Sequence, residues 1–267
     1  MSLPRTVEII AHRGASRDCL ENTLSAFRTA LAQRADGIEL DVHATRDRVV
    51  VVHHDPVVKV RAVSGRGADP REPSSVYEPP EEPGVTHEVA IADVTYAELC
   101  THTLANGEHI PTLDEVLVLA EGKATVYVEV KGVAIEENVL ECLSRHPNTT
   151  TAVHSFDHRI PHAIGQLDRR VPLGILSSSY LLDIGHMITS AGARDLWQHT
   201  ALVDQALVHA ARAAGARVVV WTENNFEHAA ELVQMGVDAI CTDVPGAMRD
   251  ALRAAGRTTG PEHRPAA

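Results

Sequence analysis

A chain of 267 residues that is 44% hydrophobic and 22% charged can bury a large core, which excludes a mostly disordered polymer. Its formal charge of −12 argues against nucleic-acid binding and against retention on an anionic membrane, because both need basic patches to displace or replace counterions. No run approaches the roughly 18 apolar residues of a membrane span, and no charged-then-apolar leader opens the chain, so a cytoplasmic location without stable membrane insertion is expected.

Eight short β-branched runs are expected as strands: Val7–Ala11, Gly37–Val42, Thr125–Lys131, Thr151–Ser155, Pro172–Leu176, Ala193–Trp197, Arg217–Thr222 and Ala239–Thr242. Several intervening segments carry apolar residues at helical spacing, such as Leu24, Phe27, Ala30 and Leu31, or Ala229, Leu232, Val233 and Met235. Strand–helix alternation implies a parallel sheet, and eight units point to an α/β fold of the TIM-type (β/α)8 barrel class over residues 1–256. A doubly wound sheet is the alternative if Ala193–Trp197 is not a strand. Val49–His53 follows Gly37–Val42 as the second arm of a hairpin and opens an insertion over about residues 56–110. Within it, Lys59 to about Ala92 is acidic and proline-rich and is not expected to sustain regular structure, leaving an active-site cover or local disorder. Residues 257–267 read as a flexible tail. Cys19, Cys100, Cys142 and Cys241 are widely separated without a C-x-x-C pair, which predicts free thiols.

The first strand delivers His12 and Arg13 to the end of a barrel where active sites are built, and Gly14 permits a tight turn there. In Glu21-Asn22-Thr23, either Asn22 or Thr23 can cap the helix that begins near Leu24; alternatively Glu21 and Asn22 orient the His12 loop or touch a ligand. Glu39 and Asp41 share one strand face while Leu40 points away. Two such carboxylates repel unless a proton or cation lies between them, and a hard divalent ion such as Mg²⁺ or Ca²⁺ prefers oxygen ligands of this kind. Glu129 and Lys131 repeat the arrangement on the third strand. Glu129 adds a candidate ligand, while Lys131 and Arg13 supply the local positive charge that an anionic substrate needs on an acidic protein. His53 and His54 alternate in direction, so at most one reaches the centre, and spacing alone does not say which. His12 with one of them could divide the two proton transfers of a phosphodiester cleavage. Asp243, after the eighth strand, is expected to cap the following helix. His43, His87, His102, His109 and His154 lie near strand ends or the insertion and are not assigned roles.

His12-Arg13-Gly14, Glu21-Asn22-Thr23, Gly37 to Val42, His54-Asp55, Ile110 to Leu117, Glu129-Val130-Lys131, Ser155-Phe156-Asp157, Trp221-Thr222 and Gly236 to Asp243 together resemble the glycerophosphodiester phosphodiesterase family in order and spacing. The resemblance spans about residues 7–250. It implies a (β/α)8 barrel with a small insertion, and hydrolysis of a small-molecule glycerophosphodiester to sn-glycerol 3-phosphate and an alcohol. Carried over by position, it implies that Glu39, Asp41 and Glu129 hold one divalent cation, Mg²⁺ or Ca²⁺. It likewise makes His12 and His54 the acid/base pair, favouring His54 over His53. Arg13 and Lys131 would bind phosphate, and Trp221 would wall the glycerol. The chain departs from the family after His54-Asp55, where Arg61 is the counterpart of a usual arginine but two threonines are lost, which leaves the alcohol headgroup open. A lysophospholipid or sphingolipid phosphodiesterase would share these residues and show an apolar lip at the barrel mouth. A silent phosphate-ligand binding protein would not need both histidines.

Overall fold

The computed structural model describes residues 6–62, 86–257 and 259–260. Strand β1 (Glu8–His12) leads to helix α1 (Leu24–Ala32) and strand β2 (Gly37–Ala44), on which β3 (Val50–Val52) folds back antiparallel. The insertion contributes β4 (Val57–Ala62), β5 (Thr86–Ala90), α2 (Tyr96–Leu99) and β6 (His102–Thr103). Then come α3 (Leu113–Ala120), β7 (Thr125–Val130), α4 (Glu136–Arg145), β8 (Thr151–Ser155), α5 (Arg159–Leu167) and β9 (Leu173–Ser177). The chain continues with α6 (Ile184–Ala191), β10 (Asp195–His199), α7 (Gln205–Ala213), β11 (Arg217–Trp221), α8 (Phe226–Met235), β12 (Ala239–Thr242) and α9 (Pro245–Ala254).

Strand β1 pairs in parallel with both β2 and β12, and parallel pairings run from β2 through β7, β8, β9, β10 and β11 to β12. The ring is closed, and the eight expected segments are its staves. Alternation along each stave sorts side chains into two populations. Outward residues such as Ile38, Leu40, Val126 and Val128 pack under the helices in one layer, and Ile9, Val218 and Ile240 do so in another. Inward residues Ile10, Tyr127, Ala152, Leu176, Trp197, Val219, Ala239 and Cys241 fill the barrel as a plug. The next inward row, toward the strands' C-terminal ends, changes from apolar to Glu39, Asp41, Glu129 and His154.

Two expectations need correction. The sixth stave runs from Asp195 to His199 rather than from Ala193 to Trp197. Gly192 ends α6 with a φ of 65°, and the Ala193 amide still donates to Ile188 O at 2.9 Å, so the strand starts late. It ends late because Gln198, polar by type, is fully buried and donates to the carbonyls of Ser177 and Ser179. In the insertion, the two ends of Lys59 to Ala92 are strands: β4 pairs with β5 and β6 in a small antiparallel sheet. The β-branched residues of Val57 to Val60 favour that geometry. Val51, Val58, Ile91, Leu99 and Ile110 form the core beneath it. The most proline-rich part lies outside the described residues.

The tail is pinned where it is described. Thr259 bridges to Val7, the Gly260 amide donates to Val7 O at 3.0 Å, and buried Arg249 donates to both Thr259 Oγ1 (3.1 Å) and Asp36 Oδ2 (2.6 Å). The four cysteines are free, and among the described residues no helix is long and apolar enough to cross a membrane. Replacing Arg249 with Leu strands the Asp36 carboxylate in a nearly closed site. It is expected to lower stability by about 3 kcal/mol and to speed exchange of the Gly260 amide, measured by denaturation and hydrogen–deuterium exchange.

Candidate active site

The C-terminal rim of the barrel begins with a sharp turn after β1. Arg13 and Gly14 both adopt positive φ, 55° and 84°. A side chain on Gly14 would have its Cβ 2.7 Å from Ala26, so the turn requires glycine for space as well as for conformation. The turn aims the Arg13 amide at Glu39 Oε2 (3.0 Å) and its guanidinium at Glu21 Oε1 (2.9 Å) and Asp41 Oδ2 (3.1 Å). The alternatives for Glu21-Asn22-Thr23 divide among the residues. Thr23 caps α1 by accepting from the Ala26 amide, while buried Asn22 donates to Asp41 Oδ2 at 2.8 Å.

Glu39, Asp41 and Glu129 converge from β2 and β7, which pair with Asp41 beside Glu129. All three are buried. Burial, then the neighbouring Asp41 and Glu129 charges, push the Glu39 carboxyl well above the ordinary range. Burial and Asp41 raise Glu129 to about 7 against the pull of Lys131. Burial also opposes ionisation of Asp41, yet Arg13, Lys131 and the Asn22 hydrogen bond outweigh it and hold this carboxyl low. Lys131 Nζ lies 3.0 Å from Glu129 Oε1 and 3.4 Å from Asp41 Oδ1. The inward face of two strands thus carries three carboxylates and draws in two cations.

His12 and His54 both border the same cavity of about 240 Å³, together with Arg13, Glu39, Glu129, Lys131 and Trp221. His12 Nδ1 is 2.8 Å from Asp243 Oδ1. Burial disfavours the Asp243 charge, but hydrogen bonds from His12 and Asn224 bring its pKa to about 2. As a carboxylate it only accepts, so His12 carries its proton on Nδ1 and keeps Nε2 for exchange. Asp243 therefore does not act as the expected helix cap: α9 has no side-chain cap, and Asp243 also accepts from Ser16 Oγ (3.1 Å) and Asn224 Nδ2 (2.7 Å). His54 Nδ1 stands 2.7 Å from Asp55 Oδ1. His53 turns away, lines a separate cavity with Leu20 and Val57, and is held near 4 by burial and by His43.

Trp221 is half-buried against Phe156, ring centroids 5.3 Å apart and nearly perpendicular. A second cavity of about 710 Å³ shares His54, Glu129, Lys131 and Phe156 with the first and is bounded by Ile91 and Ala92 of the insertion. His43 sits under it, with Nε2 3.1 Å from His54 O, and His109 pairs with Glu115 at 3.2 Å. The side chain of Arg61 is outside the described residues, as is that of His87. Asp243, read from sequence as a cap, contacts His12, and His154, left without a role, is buried beside Glu39. Both continue the inward parity of their strands, and that signal was available.

The sequence model of the glycerophosphoryl diester phosphodiesterase family matches residues 12–247. The chain belongs to that family. YhdW of Bacillus subtilis is 32% identical over 257 residues, covering 89% of this chain and 94% of its own. The glycerophosphodiester phosphodiesterase of Caldanaerobacter subterraneus subsp. tengcongensis is 29% identical over 257 residues, covering 93% and 98%. Among solved structures, a Silicibacter pomeroyi protein superposes with a TM-score of 0.80 at 25% identity over 96% of both chains. An Oleispira antarctica phosphodiesterase, solved with the product sn-glycerol-3-phosphate, superposes with a TM-score of 0.78 at 23% identity, covering 93% of this chain and 97% of that one. The chain is accordingly an enzyme, a phosphodiesterase of this family.

Replacing Asp243 with Ala removes the acceptor that fixes the His12 tautomer. Turnover of a phosphodiester is expected to fall about 100-fold with KM little changed, as for a misplaced reacting group, while Ser16→Ala has a minor effect. Steady-state kinetics on the two variants check this.

Proposed function

We propose that the chain hydrolyses glycerophosphodiesters to sn-glycerol 3-phosphate and an alcohol, using one divalent cation and a histidine acid/base pair. The carrying observation is the crowding of Glu39, Asp41 and Glu129 at the barrel mouth, with Arg13 and Lys131 between them. When fully ionised, as an ion between them requires, the three carboxylates exceed the two cations by one negative charge; a divalent ion reverses that sign, and a phosphodiester monoanion then neutralises it.

The residues fit such an ion. Glu39 and Glu129 offer ligand oxygens within 4.8 Å of each other, and Asp41 Oδ1 has no hydrogen-bond partner. These three carboxylates would hold the ion, as their oxygen chemistry suits Mg²⁺ or Ca²⁺. Bound there, it would supply Lewis-acid polarisation of the phosphoryl group and orientation of the diester. Arg13 and Lys131 are placed to bind the phosphoryl oxygens, exchanging carboxylate partners for phosphate. His12 Nε2 and His54 divide the proton traffic, one taking the proton of the nucleophile and the other protonating the departing alkoxide. Trp221 and Phe156 give the glycerol an apolar wall, and the larger cavity under the insertion has room for the alcohol.

One observation favours a second reading, a lysophospholipid as the diester. Val133 (89% exposed), Phe156 (44%) and Leu182 (99%) stand on the loops after three consecutive staves, β7, β8 and β9, as an apolar arc on the rim.

Hydrolysis of glycerophosphocholine and glycerophosphoethanolamine, with and without chelator, tests the proposal. Turnover is expected to vanish with chelator, to return with a divalent cation, and to fall about 10²- to 10⁴-fold in His12→Ala. Chelator-resistant turnover indifferent to the substitution would contradict it. Faster cleavage of lysophosphatidylcholine than of either soluble diester would move the second reading ahead.

A further inference from the structure

Beside the carboxylates, the inward row of the barrel carries a histidine whose two ring nitrogens are both buried without a hydrogen bond. His154, on β8, is 1% exposed, and neither ring nitrogen makes a hydrogen bond. A buried polar nitrogen without a partner is costly, and a protein normally satisfies it or uses it. The ring does not point at random. It stacks on Trp197 of β10, centroids 4.2 Å apart and planes 8° from parallel. The stave between them, β9, passes beneath the stack with Gly174, which is in register with both His154 and Asp195. A Cβ on Gly174 would come within 3.0 Å of His154 Cβ and of the indole, so the missing side chain is what lets the two rings meet. Held that way, His154 Nε2 lies 3.9 Å from Glu39 Oε1. That distance is too long for a hydrogen bond and suits two donors facing a common guest. The other Glu39 oxygen is already occupied by the Arg13 amide. Ligand atoms of Glu39, Glu129 and His154 all lie within 4.8 Å of one another.

We infer that His154 supplies an imidazole nitrogen to the divalent cation held by Glu39, Asp41 and Glu129, making the site a mixed nitrogen–oxygen one. The inference rests on the metal reading above and sharpens its choice of ion. An all-carboxylate site suits Ca²⁺ and Mg²⁺, whereas a nitrogen ligand raises the affinity for later first-row ions and leaves Ca²⁺ almost untouched. The Trp197 stack and Gly174 act as positioning elements, because they fix the ring before the ion arrives.

Calorimetric titration of the metal-free protein with Co²⁺ and with Ca²⁺, for the wild type and His154→Gln, tests this. The variant is expected to lose about 100-fold in Co²⁺ affinity, at least what loss of an outer partner costs a metal site, with Ca²⁺ affinity nearly unchanged. Pulsed electron paramagnetic resonance of the Mn²⁺-loaded wild type needs no variant and is expected to show coupling to a directly bound ¹⁴N. Equal Co²⁺ affinities in a folded variant, or a Mn²⁺ spectrum without nitrogen coupling, would overturn the inference while leaving the carboxylate site standing. Failure of both ions to bind the wild type would overturn both.

Discussion

The mouth of this barrel is organised by electrostatic repulsion. Strand period two and the parallel pairing of β2 with β7 force Glu39, Asp41 and Glu129 onto one inward surface that water hardly reaches. Each surrounding feature answers that crowding. Arg13 and Lys131 lean in, Asn22 donates to Asp41, and the carboxyls of Glu39 and Glu129 are displaced upward in pKa. The positive φ of Arg13, uncommon for a residue with a side chain, is held because its amide finds Glu39 and its guanidinium finds Glu21 and Asp41. Local strain in the first βα turn and charge in the neighbouring strand are thus parts of one arrangement.

The same rim separates tasks among residues that alternate along single strands. The inward row below is apolar and rigid, with Tyr127 and Trp197 in edge-to-face contact at 5.3 Å, so the polar row above stands on a packed floor. Asp243 continues the inward parity of β12 and orients His12, which continues that of β1; the two strands are neighbours. The loop after β3 brings His54 to the cavity, and the insertion that follows sets Ile91 and Ala92 at the edge of the wider one. On the proposed reading, the phosphate-directed and alcohol-directed surfaces therefore come from different parts of the chain.

Much of this was legible in the sequence because it follows from periodicity. The eight staves, the shared face of Glu39 and Asp41, and the pairing of Glu129 with Lys131 need only alternation and the rule that barrel strands present chemistry at their C-terminal ends. Most of the misses have a common cause, since they depend on partners distant in sequence. Asp243 looked like a helix cap because its partner, His12, is 231 residues away. His154 looked like one histidine among sixteen because its environment is made by Gly174 and Trp197 on two other strands. Gln198 hid the end of the sixth stave because its amide is accommodated by the carbonyls of Ser177 and Ser179 at the end of β9 and just beyond it. Val57 to Ala62 was obscured by the acidic, proline-rich composition that follows it.

The account rests on a cation between the inward carboxylates and a phosphoryl group between the basic residues. A crystal structure with Mn²⁺ and sn-glycerol 3-phosphate tests both at once, using the anomalous signal of the ion. The expected result is a peak coordinated by Glu39, Asp41 and Glu129, with the phosphate contacting Arg13 and Lys131 and a ring nitrogen of His12 or His54 facing its ester oxygen. A fully occupied phosphate bound without any anomalous peak among those carboxylates, or bound away from Arg13 and Lys131, would contradict it.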